Sequence, residues 1–323
     1  LPAISPDGKF LAYVAARARK AKIFLQPTDG GRAVNITDSL PGDQISPDWS
    51  PDGRRLVFVS RDSGSTSIVT MPPTGGDVRR LHTVSYDGGV PLAPKWSPDG
   101  TRIAFEQGDS VLVMAADGSG LTLLALISTV HSLAWSPDGQ TILVGGDDGT
   151  VQPILALSRR PAGPPIPAHE DLVSSVTFSP DGKMLAAGLF TGAIQLFSIP
   201  DGEPGTTLEG PQALVFDLAF DPSGQRLAAG SRDGSCRVWQ LATETMEIVA
   251  NGLSDVRSVE FAPDGNSLAF ATYAGDIRIS TRLDGSWRER CRHVQPGRLS
   301  RLRYSPDGQS LAVALQGGGA HGA

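Results

Sequence analysis

The sequence contains only two cysteines, Cys236 and Cys291, and two cysteines cannot form a framework of disulfides. They do not make a Cys-x-x-Cys pair, and no cluster of His and Cys residues has the spacing of a zinc site. We interpret both cysteines as small apolar residues of β-strands. They therefore leave the redox compartment of the protein undecided.

Several other signals of function are missing as well. No apolar run approaches the roughly 18 residues of a membrane-spanning helix, and no charged-then-apolar leader is visible. The chain begins with Leu1 and not with Met, which suggests that the natural N-terminus lies upstream. There is no Gly-x-x-x-x-Gly-Lys phosphate loop, no calcium loop of spaced carboxylates, and no Gly-x-Ser-x-Gly nucleophile elbow. We therefore predict no catalytic residue, no cofactor and no metal site in this chain.

Glycine and proline are abundant, in contrast to the residues that are scarce. The chain has 38 Gly and 25 Pro, whereas aromatic residues make up 6% and charged residues 19%. This composition is typical of a globular protein with many turns, and it is well short of the levels that indicate disorder. With 323 residues the chain could hold two average domains or one large all-β domain.

One motif recurs along the whole chain. Its copies are ISPDGKFLAYVA (4–15), WSPDGRRLVFVS (49–60), WSPDGTRIAFEQ (96–107), WSPDGQTILVGG (135–146), FSPDGKMLAAGL (178–189), FDPSGQRLAAGS (220–231), FAPDGNSLAFAT (261–272) and YSPDGQSLAVAL (304–315). The glycines of successive motifs are 39 to 47 residues apart. A period of that length, with several short strands in each unit, is typical of a β-propeller.

Each copy of the motif predicts a tight turn between two strands. Pro sets the first central φ to about −65°, Asp hydrogen-bonds to nearby backbone, and Gly takes the positive φ that ends the turn. The residues assigned to these turns are Asp7, Gly8, Asp52, Gly53, Asp99, Gly100, Asp138, Gly139, Asp181, Gly182, Gly224, Asp264, Gly265, Asp307 and Gly308. A second turn, such as DDGT (147–150) or RDGS (232–235), leads to a third strand, and a more variable fourth strand follows. Each unit is therefore predicted to form four antiparallel strands.

A large residue stands directly before each motif. The set consists of Ile4, Trp49, Trp96, Trp135, Phe178, Phe220, Phe261 and Tyr304. One such residue at a fixed place in each blade predicts packing between neighbouring sheets. A stacking or ligand-binding role for the set is the alternative.

The repeats predict an all-β fold, a single β-propeller of seven or eight four-stranded blades with an incomplete last blade. The domain spans residues 1–323, with units at approximately 1–44, 45–88, 89–128, 129–169, 170–211, 212–252, 253–296 and, in part, 297–323. The first unit lacks part of its inner strand, and the eighth ends where its third strand should begin. We therefore expect a sector of the ring to be supplied by further sequence or left open.

These residues resemble two related groups of bacterial propellers. Units one to three, with WSPDGRRLVFVS and IFLQPTDGGRAVNIT (23–37), look like the TolB-like repeats that also occur in propeller domains of prolyl-oligopeptidase-type peptidases. Units four to seven look like WD repeats, most clearly in FDPSGQRLAAGSRDGSCRVWQ. The resemblance covers essentially the whole chain, and it implies the fold while saying little about function.

The hydrogen-bonded set that often fixes the blades of WD proteins is incomplete here. The sixth unit keeps Asp233 and Trp239 but has Ala229 at the place of the Ser or Thr. The fifth keeps His169 but has Phe197 at the place of the Trp. We therefore expect the blades to depend mainly on apolar packing, as in the bacterial mixed type.

The last residues, LAVALQGGGAHGA (311–323), allow two interpretations. They resemble the opening strand and glycine-rich oxyanion loop of patatin-like lipid acyl hydrolases, in which backbone N–H groups stabilise a tetrahedral intermediate. Aligned on the repeat, residues 311–315 instead form the second strand of the eighth unit and residues 316–318 the turn that follows. The repeat accounts for the segment to about Gly318 and leaves GAHGA (319–323) unexplained.

Basic residues are concentrated in two segments of a chain whose net charge is −6. Residues 278–303 contain eight Arg against two acidic residues, and residues 9–22 contain five basic residues and no acid. In a closed ring the first and last blades are neighbours, which would join the two segments into one positive sector. Arg288, Arg290 and Arg292 alternate along a predicted strand and are expected on one face of it.

Two roles fit these charges. Charged outer strands block unwanted pairing at the edge of a sheet, or they form a docking surface for an acidic protein. Nucleic acid is not the expected partner, because the aromatic residues lie in the motifs and not among the arginines. The candidate partner-binding residues are Arg17, Arg19, Lys20, Arg288, Arg290 and Arg292.

Two functions follow from the sequence. The first is a non-catalytic scaffold for protein–protein interaction, as a regulatory or sensor region of a larger bacterial protein. The second is the accessory propeller of a hydrolase, either a prolyl-oligopeptidase-type peptidase or a patatin-like lipid acyl hydrolase, whose catalytic domain lies outside this chain. The TolB-like resemblance suggests the periplasm, whereas the WD-like half and the unpaired cysteines slightly favour the cytoplasm.

Overall fold

The computed structural model describes residues 3–17, 20–85, 91–126, 130–156, 165–168, 172–199, 202–294 and 298–316. Regular structure in these residues consists of β-strands, with no α-helix among them. Accordingly, no helix in this part of the chain could cross a membrane. The chain forms two compact units: unit 1 comprises residues 1–130, 156–160 and 305–312, and unit 2 comprises residues 131–155, 161–304 and 313–323.

Unit 1 contains three four-stranded antiparallel sheets, in each of which the strands pair in chain order. Sheet 1 consists of β1 (Ala3–Ile4), β2 (Phe10–Arg17), β3 (Lys20–Pro27) and β4 (Val34–Asn35). Sheet 2 consists of β5 (Asp43–Trp49), β6 (Leu56–Arg61), β7 (Ser65–Met71) and β8 (Arg79–Ser85). Sheet 3 consists of β9 (Pro91–Trp96), β10 (Arg102–Gln107), β11 (Ser110–Ala115) and β12 (Thr122–Leu126).

Four more sheets of the same kind follow along the chain. Sheet 4 consists of β13 (Val130–Trp135), β14 (Thr141–Gly146), β15 (Thr150–Leu155) and β16 (Ile166–Pro167). Sheet 5 consists of β17 (Val173–Phe178), β18 (Met184–Leu189), β19 (Ile194–Ser198) and β20 (Pro204–Leu208). Sheet 6 consists of β21 (Val215–Phe220), β22 (Arg226–Ser231), β23 (Cys236–Gln240) and β24 (Thr245–Ala250). Sheet 7 consists of β25 (Val256–Phe261), β26 (Ser267–Thr272), β27 (Asp276–Leu283) and β28 (Ser286–Val294).

The eighth repeat forms a hairpin within the described residues. β29 (Arg298–Tyr304) and β30 (Leu311–Gln316) make a two-stranded sheet. β30 occupies the place of the second strand in the other sheets, as the alignment on the repeat predicts for residues 311–315. The unexplained GAHGA lies outside the described residues.

The Ser-Pro-Asp-Gly motif connects the first and second strands of the sheets. In its first copy the N–H of Gly8 donates to the Ser5 carbonyl (2.8 Å), and the Ser5 hydroxyl donates to the Asp7 carboxylate (2.6 Å). The same carboxylate accepts from the N–H of Lys9 at 3.1 Å, and these two bonds hold the pKa of Asp7 below its usual value. The motif glycines have φ between +68° and +73°, a region that is costly for residues with a Cβ atom.

The sixth and seventh copies of the motif differ from this pattern. In the sixth, Asp221 takes the place of the serine and accepts from the Ser223 hydroxyl at 2.6 Å. The Asp221 carboxylate also binds Arg226 (3.0 Å), whose guanidinium donates to the carbonyl of Gly265 at 2.7 Å. The seventh copy has Ala262 in the place of the serine. Arg226 thus links the turn of sheet 6 to the turn of sheet 7, which lacks the serine hydroxyl.

Neighbouring motif turns contact each other through proline and glycine. A Cβ atom on Gly53 would lie 3.6 Å from Cδ of Pro6, in the preceding turn. The same contact joins the eighth turn to the first within unit 1, where a Cβ atom on Gly8 would lie 3.3 Å from Cδ of Pro306. The glycine therefore leaves room for the proline of the adjacent turn, in addition to providing the positive φ.

Apolar cores lie between five pairs of consecutive sheets. Phe58 and Met71 of sheet 2 pack with Ile23 of sheet 1, and Phe105 of sheet 3 packs with Val59 of sheet 2. Three clusters of the same kind join sheets 4 and 5, sheets 5 and 6, and sheets 6 and 7. The second strands of sheets 2 to 7 are buried on both faces, and for this reason they have long apolar runs.

Five of the eight large residues before the motifs, Trp49, Trp96, Phe178, Phe220 and Phe261, belong to these cores or pack against them, as the sequence predicts. Trp49, Trp96, Phe178 and Phe261 are buried, and the other members that precede a motif are half-buried. The WD-type positions follow the same principle, because Phe197 is buried at the place of the missing tryptophan. His169 lies outside the described residues.

Candidate protein-interaction surfaces

The hairpin formed by β27 and β28 is longer than the outer hairpins of the other sheets in unit 2. Its strands contain 8 and 9 residues, whereas the third and fourth strands of sheets 4 to 6 contain 2 to 6. β27 pairs with β26 only as far as Thr281, so Arg282 and Leu283 extend past the neighbouring strand. Asp284 (φ +50°) and Gly285 (φ +82°) close the hairpin with the two positive φ values of a type I′ turn.

Trp287 and Arg226 anchor this hairpin on the adjacent sheet. The ring centroid of Trp287 lies 6.1 Å from that of Phe261, and the guanidinium carbon of Arg226 lies 5.5 Å from the Phe261 ring and 6.0 Å from the Trp287 ring. Nearer the turn, Arg282 forms an ion pair of 2.9 Å with Glu247 of β24. Packing and charge together fix the orientation of the hairpin.

The arginines of β28 do not share one face, because the strand contains a bulge. Arg288 pairs with Thr281 and Arg292 with Arg278, while Arg290 has no partner opposite it on β27. Thr281 lies three positions after Arg278, so the two side chains point to opposite faces of β27, and their partners Arg288 and Arg292 point to opposite faces of β28. The prediction that the three arginines lie on one face is therefore wrong. Alternation in the sequence gives the faces only where the register is unbroken.

Asp276 neutralises part of the charge of the hairpin. Arg292 donates to its carboxylate at 2.8 and 3.1 Å, and Arg278 donates at 2.9 Å. Burial by itself raises the pKa of Asp276, but the hydrogen bonds from Arg292 and Arg278 hold it below its usual value. The bond to Asp276 in turn raises the pKa of Arg292. Arg292 is therefore tied to its own sheet.

Arg288 and Arg290 are the available cations of the hairpin. Both are exposed. In the part of the chain that the structure describes, neither forms an ion pair or a side-chain hydrogen bond. Of the three arginines predicted on β28, these two keep their charge free for an external group.

The predicted basic residues of unit 1 differ in their exposure to solvent. Lys20 is exposed on β3, and its backbone pairs directly with that of Arg17 on β2. Lys22 is only 5% exposed; its ammonium group donates to the Leu40 carbonyl, and burial lowers its pKa. Arg19 lies outside the described residues. A joint positive sector with the β27–β28 hairpin stays a prediction.

Polar side chains join the inner strands of neighbouring sheets, in a pattern that the sequence analysis missed. The Ser132 hydroxyl accepts from the N–H of Val176 at 3.2 Å. Asp217 accepts from the N–H of Val259 (3.1 Å) and from the Ser258 hydroxyl (2.8 Å). Ser132 lies four positions before Ser136 and Asp217 four positions before Asp221, the residues that precede proline in the turns of sheets 4 and 6. These bonds satisfy backbone groups that would be buried without partners.

The same kind of bond attaches β29 to β25. The N–H of Leu302 donates to the Ser258 hydroxyl at 3.1 Å, and the N–H of Tyr304 donates to the Glu260 carboxylate at 3.0 Å. Burial raises the pKa of Glu260 to about 6, although the charge of Arg303 lowers it. The two-stranded eighth sheet is thus held to sheet 7 by hydrogen bonds to side chains of β25.

A cation–π cluster lies between the inner strands of sheets 6 and 7. The guanidinium carbon of Arg257 is 3.8 Å from the ring centroid of Phe216 and 4.9 Å from that of Tyr273. An ion pair of 2.9 Å with Asp255 neutralises its charge. The cluster fixes Arg257 in place, and its charge is less available than the charges of Arg288 and Arg290.

Groups that could support chemistry are sparse in the described residues. No set of three or more His, Cys, Asp or Glu side chains there could hold a metal ion. Cys236 is buried and Cys291 is exposed, and both are free thiols. Burial raises the pKa of the Cys236 thiol, so the thiol stays protonated at neutral pH.

Protein-family models match both halves of the chain. Residues 1–191 match the TolB beta propeller domain, and residues 202–240 match the WD domain, G-beta repeat. The second match covers sheet 6 up to β23, the region in which the WD-like resemblance is clearest. The first covers more than half of the chain.

Three curated proteins are similar to parts of the chain. The "Uncharacterized peptidase YuxL" of Bacillus subtilis is 30% identical over 202 residues, which cover 57% of this chain and 28% of that protein. The "Uncharacterized protein Atu1656" of Agrobacterium fabrum is 33% identical over 148 residues, 42% of this chain and 50% of that protein. The "Tricorn protease homolog 1" of Streptomyces coelicolor is 32% identical over 77 residues, 24% of this chain and 7% of that protein. The matches therefore span half or less of the length of these relatives.

A chain in the "Crystal Structure of Mitotic Checkpoint Complex" has a similar fold. It aligns with a TM-score of 0.69 and 20% sequence identity, over 83% of this chain and 83% of that chain. At this identity the similarity concerns the fold alone. Together with the four-stranded sheets it confirms the predicted all-β propeller of mixed TolB-like and WD-repeat type. The chain belongs to the TolB β-propeller family and carries a WD repeat in its second half.

Proposed function

We propose that this propeller is a non-catalytic protein-binding module whose β27–β28 hairpin docks on an acidic surface of a partner protein. The observation that carries the proposal is the pair Arg288 and Arg290, which are exposed on an extended hairpin without an internal ion pair in the described residues. An arginine without an internal partner can form two parallel hydrogen bonds to a carboxylate. Such contacts are stronger than those of neutral donors.

The anchoring of the hairpin supports this role. Trp287 and Arg282 attach it to sheet 6, so the arginines start from a fixed backbone. A surface that is ordered before binding loses less conformational entropy on association. Arg292 takes a different part in this proposal: it stabilises the hairpin through Asp276 and does not contact the partner.

A charge-reversal experiment with an acidic probe tests the proposal. The probe is a fluorescent peptide of alternating Glu and Ser, compared with a peptide of alternating Gln and Ser by fluorescence anisotropy. The Glu peptide should bind the wild-type chain, and the double variant Arg288→Glu/Arg290→Glu should weaken this binding at least about tenfold.

A matched double variant controls for net charge. Arg54, whose side chain is 85% exposed, and Arg232, also exposed, belong to turns that are not part of the β27–β28 hairpin. Arg54→Glu/Arg232→Glu changes the net charge by the same amount and should weaken binding less than about threefold. An equal loss in both double variants would refute the hairpin as the site, and so would equal binding of the Glu and Gln peptides.

The accessory propeller of a peptidase is the second candidate function. Two relatives are named as a peptidase and a protease homolog, and the matches cover only part of each protein. This candidate requires a Ser, Asp and His triad in a separate α/β domain of the full-length protein. Sequencing the reading frame beyond Ala323 tests it directly; a Gly-x-Ser-x-Gly close to that point would favour the lipid acyl hydrolase instead.

A further inference from the structure

The outer strand of sheet 3, β12, exposes leucine side chains at an open sheet edge. Leu123 is 49% exposed and Leu126 is 74% exposed, and Leu121, directly before the strand, is 41% exposed. Among the residues that the structure describes, β12 pairs with β11 on one side and has no strand partner on the other, so the backbone groups of that side are available. An apolar edge strand of this kind is a template for pairing with another chain.

A bulge places the two strand leucines on the same face. Leu123 pairs with Leu112 and Leu126 pairs with Ser110, while Leu124 is the extra residue between them. Leu112 packs against the core between sheets 2 and 3. The face of Leu123 and Leu126 therefore continues an apolar surface from that core to the edge.

The segment around β12 also lacks charge. No Asp, Glu, Lys or Arg occurs between Asp117 and Asp138. The other described outer strands of five or more residues contain charged residues or begin with proline: Arg79 in β8, Pro204 in β20, Glu247 in β24 and the arginines of β28. Charged residues and proline at an edge prevent association, and β12 has neither.

We propose that β12 pairs antiparallel with β12 of a second copy of this chain. A two-fold axis perpendicular to the sheet would join two four-stranded sheets into one of eight strands. This operation keeps equivalent faces together, so the exposed leucines of both copies would cluster on one side. Because the strand carries no charge, self-pairing brings no like charges together. Self-pairing of β28 would instead oppose two sets of arginines.

Sedimentation velocity of the full chain tests this proposal. From about 1 to about 100 µM, the mass should rise from the 33.8 kDa of one chain towards twice that value. The variant Leu123→Lys/Leu126→Lys should remain monomeric throughout. The matched control is Met246→Lys/Ile248→Lys, which changes two exposed apolar residues of β24 (38% and 50% exposed) and should dimerise like the wild type.

Hydrogen exchange provides a second measurement that needs no variant. Amide protection in β12 should increase with protein concentration, while protection in β24 should stay constant. A wild-type chain that is monomeric at the highest concentration overturns the proposal. Dimers that persist in the β12 variant, or that disappear equally in the β24 variant, also overturn it.

Discussion

The outer strands β12 and β28 have the same place in their sheets but present different chemistry to solvent. β12 exposes leucines and lies in a segment without charge. β28 exposes Arg288 and Arg290, and its remaining charges are paired within the sheet. Both strands contain a bulge opposite the third strand, and β28 is the longer of the two, with 9 residues against 5. The difference lies in the side chains.

This difference separates two kinds of association. An apolar edge gains free energy by removing surface from water, and it can do so with an identical strand. A basic edge is repelled by its own copy and needs a partner of opposite charge. A repeated fold can therefore offer different surfaces from equivalent strands without changing its core.

The largest expected effect comes from removing the anchor of β28. Trp287→Ala should lower the free energy of unfolding by about 2–3 kcal/mol, because the ring packs against Phe261 and Arg226. Binding of the Glu peptide should weaken as the hairpin loses its fixed orientation. Urea unfolding and anisotropy measure the two effects.

Trp287→Phe is the control for this prediction, since it keeps an aromatic ring at the same place. Leu123→Ala provides the comparison on β12 and should cost less than about 1 kcal/mol, because much of its side chain is already in water. Equal costs for Trp287→Ala and Leu123→Ala would show that the hairpin is not anchored as described.

A smaller effect is expected from the charge inside the hairpin. Asp276→Asn removes the charged partner of Arg278 and Arg292, and it should lower the free energy of unfolding by about 1–3 kcal/mol at pH 7. The folded-state pKa of Asp276 is lowered, so its stabilisation is present above the unfolded pKa of about 3.9 and is lost as the pH falls through the folded value.

The stability difference between wild type and Asp276→Asn should therefore shrink as the pH falls from 7 to below about 3. Asp284→Asn, in the exposed turn of the same hairpin, serves as the control and should leave stability unchanged at both pH values, because Asn tolerates a positive φ. A pH-independent difference for Asp276→Asn would contradict the role of the carboxylate charge.

Salt should affect association at the two edges differently. Raising NaCl from about 0.1 to about 1 M shortens the Debye length from about 10 to about 3 Å, so binding of the Glu peptide at β28 should weaken about tenfold. Self-association through β12 should persist or strengthen, because it involves no charge pair. Sedimentation and anisotropy in the same buffers check this. If added salt weakened self-association as much as peptide binding, the two edges would not differ in the way described.

The smallest effects are expected for conservative changes on the two surfaces. Arg288→Ala and Leu126→Thr should each change the free energy of unfolding by less than about 0.5 kcal/mol, since both side chains are exposed. Chemical denaturation checks this. A large loss in either variant would mean that the residue supports the fold and not an external contact.

Sequence reasoning succeeded where the physics is local. The motif turns need Pro, Asp and Gly within a few residues, and the glycines have the positive φ that the turn requires. The role of the serine was missed, although Ser5 and its equivalents are visible in the same motif. In the sixth copy Asp221 stands where the other copies have serine, and Ser223 stands where they have aspartate. The Asp221 carboxylate accepts from the N–H of Arg226 as the Ser5 hydroxyl accepts from that of Phe10, so either residue type can accept at this position.

The faces of β28 could not be predicted in the same way. The bulge at Arg290 depends on how β28 pairs with β27, and the sequence carries no mark of the extra residue. The bonds from Ser258 and Glu260 to β29 were missed because they join residues 44 positions apart. The available signal was the presence of polar residues in β25, a strand whose Val256, Val259 and Phe261 are buried.

The sequence by itself determined the repeat, the turn chemistry and the apolar strands, and therefore the propeller. These features arise from backbone φ preferences and from hydrophobic patterns within a few residues. Only the tertiary structure decided which charges are free of an internal partner. Arg292 forms an ion pair with Asp276, whereas Arg288 and Arg290 are exposed and form no ion pair within the described residues. It also decided which leucines remain in water. Whether a side chain is available to a partner depends on the strand register and on neighbours that are distant in sequence. Local propensity does not specify these.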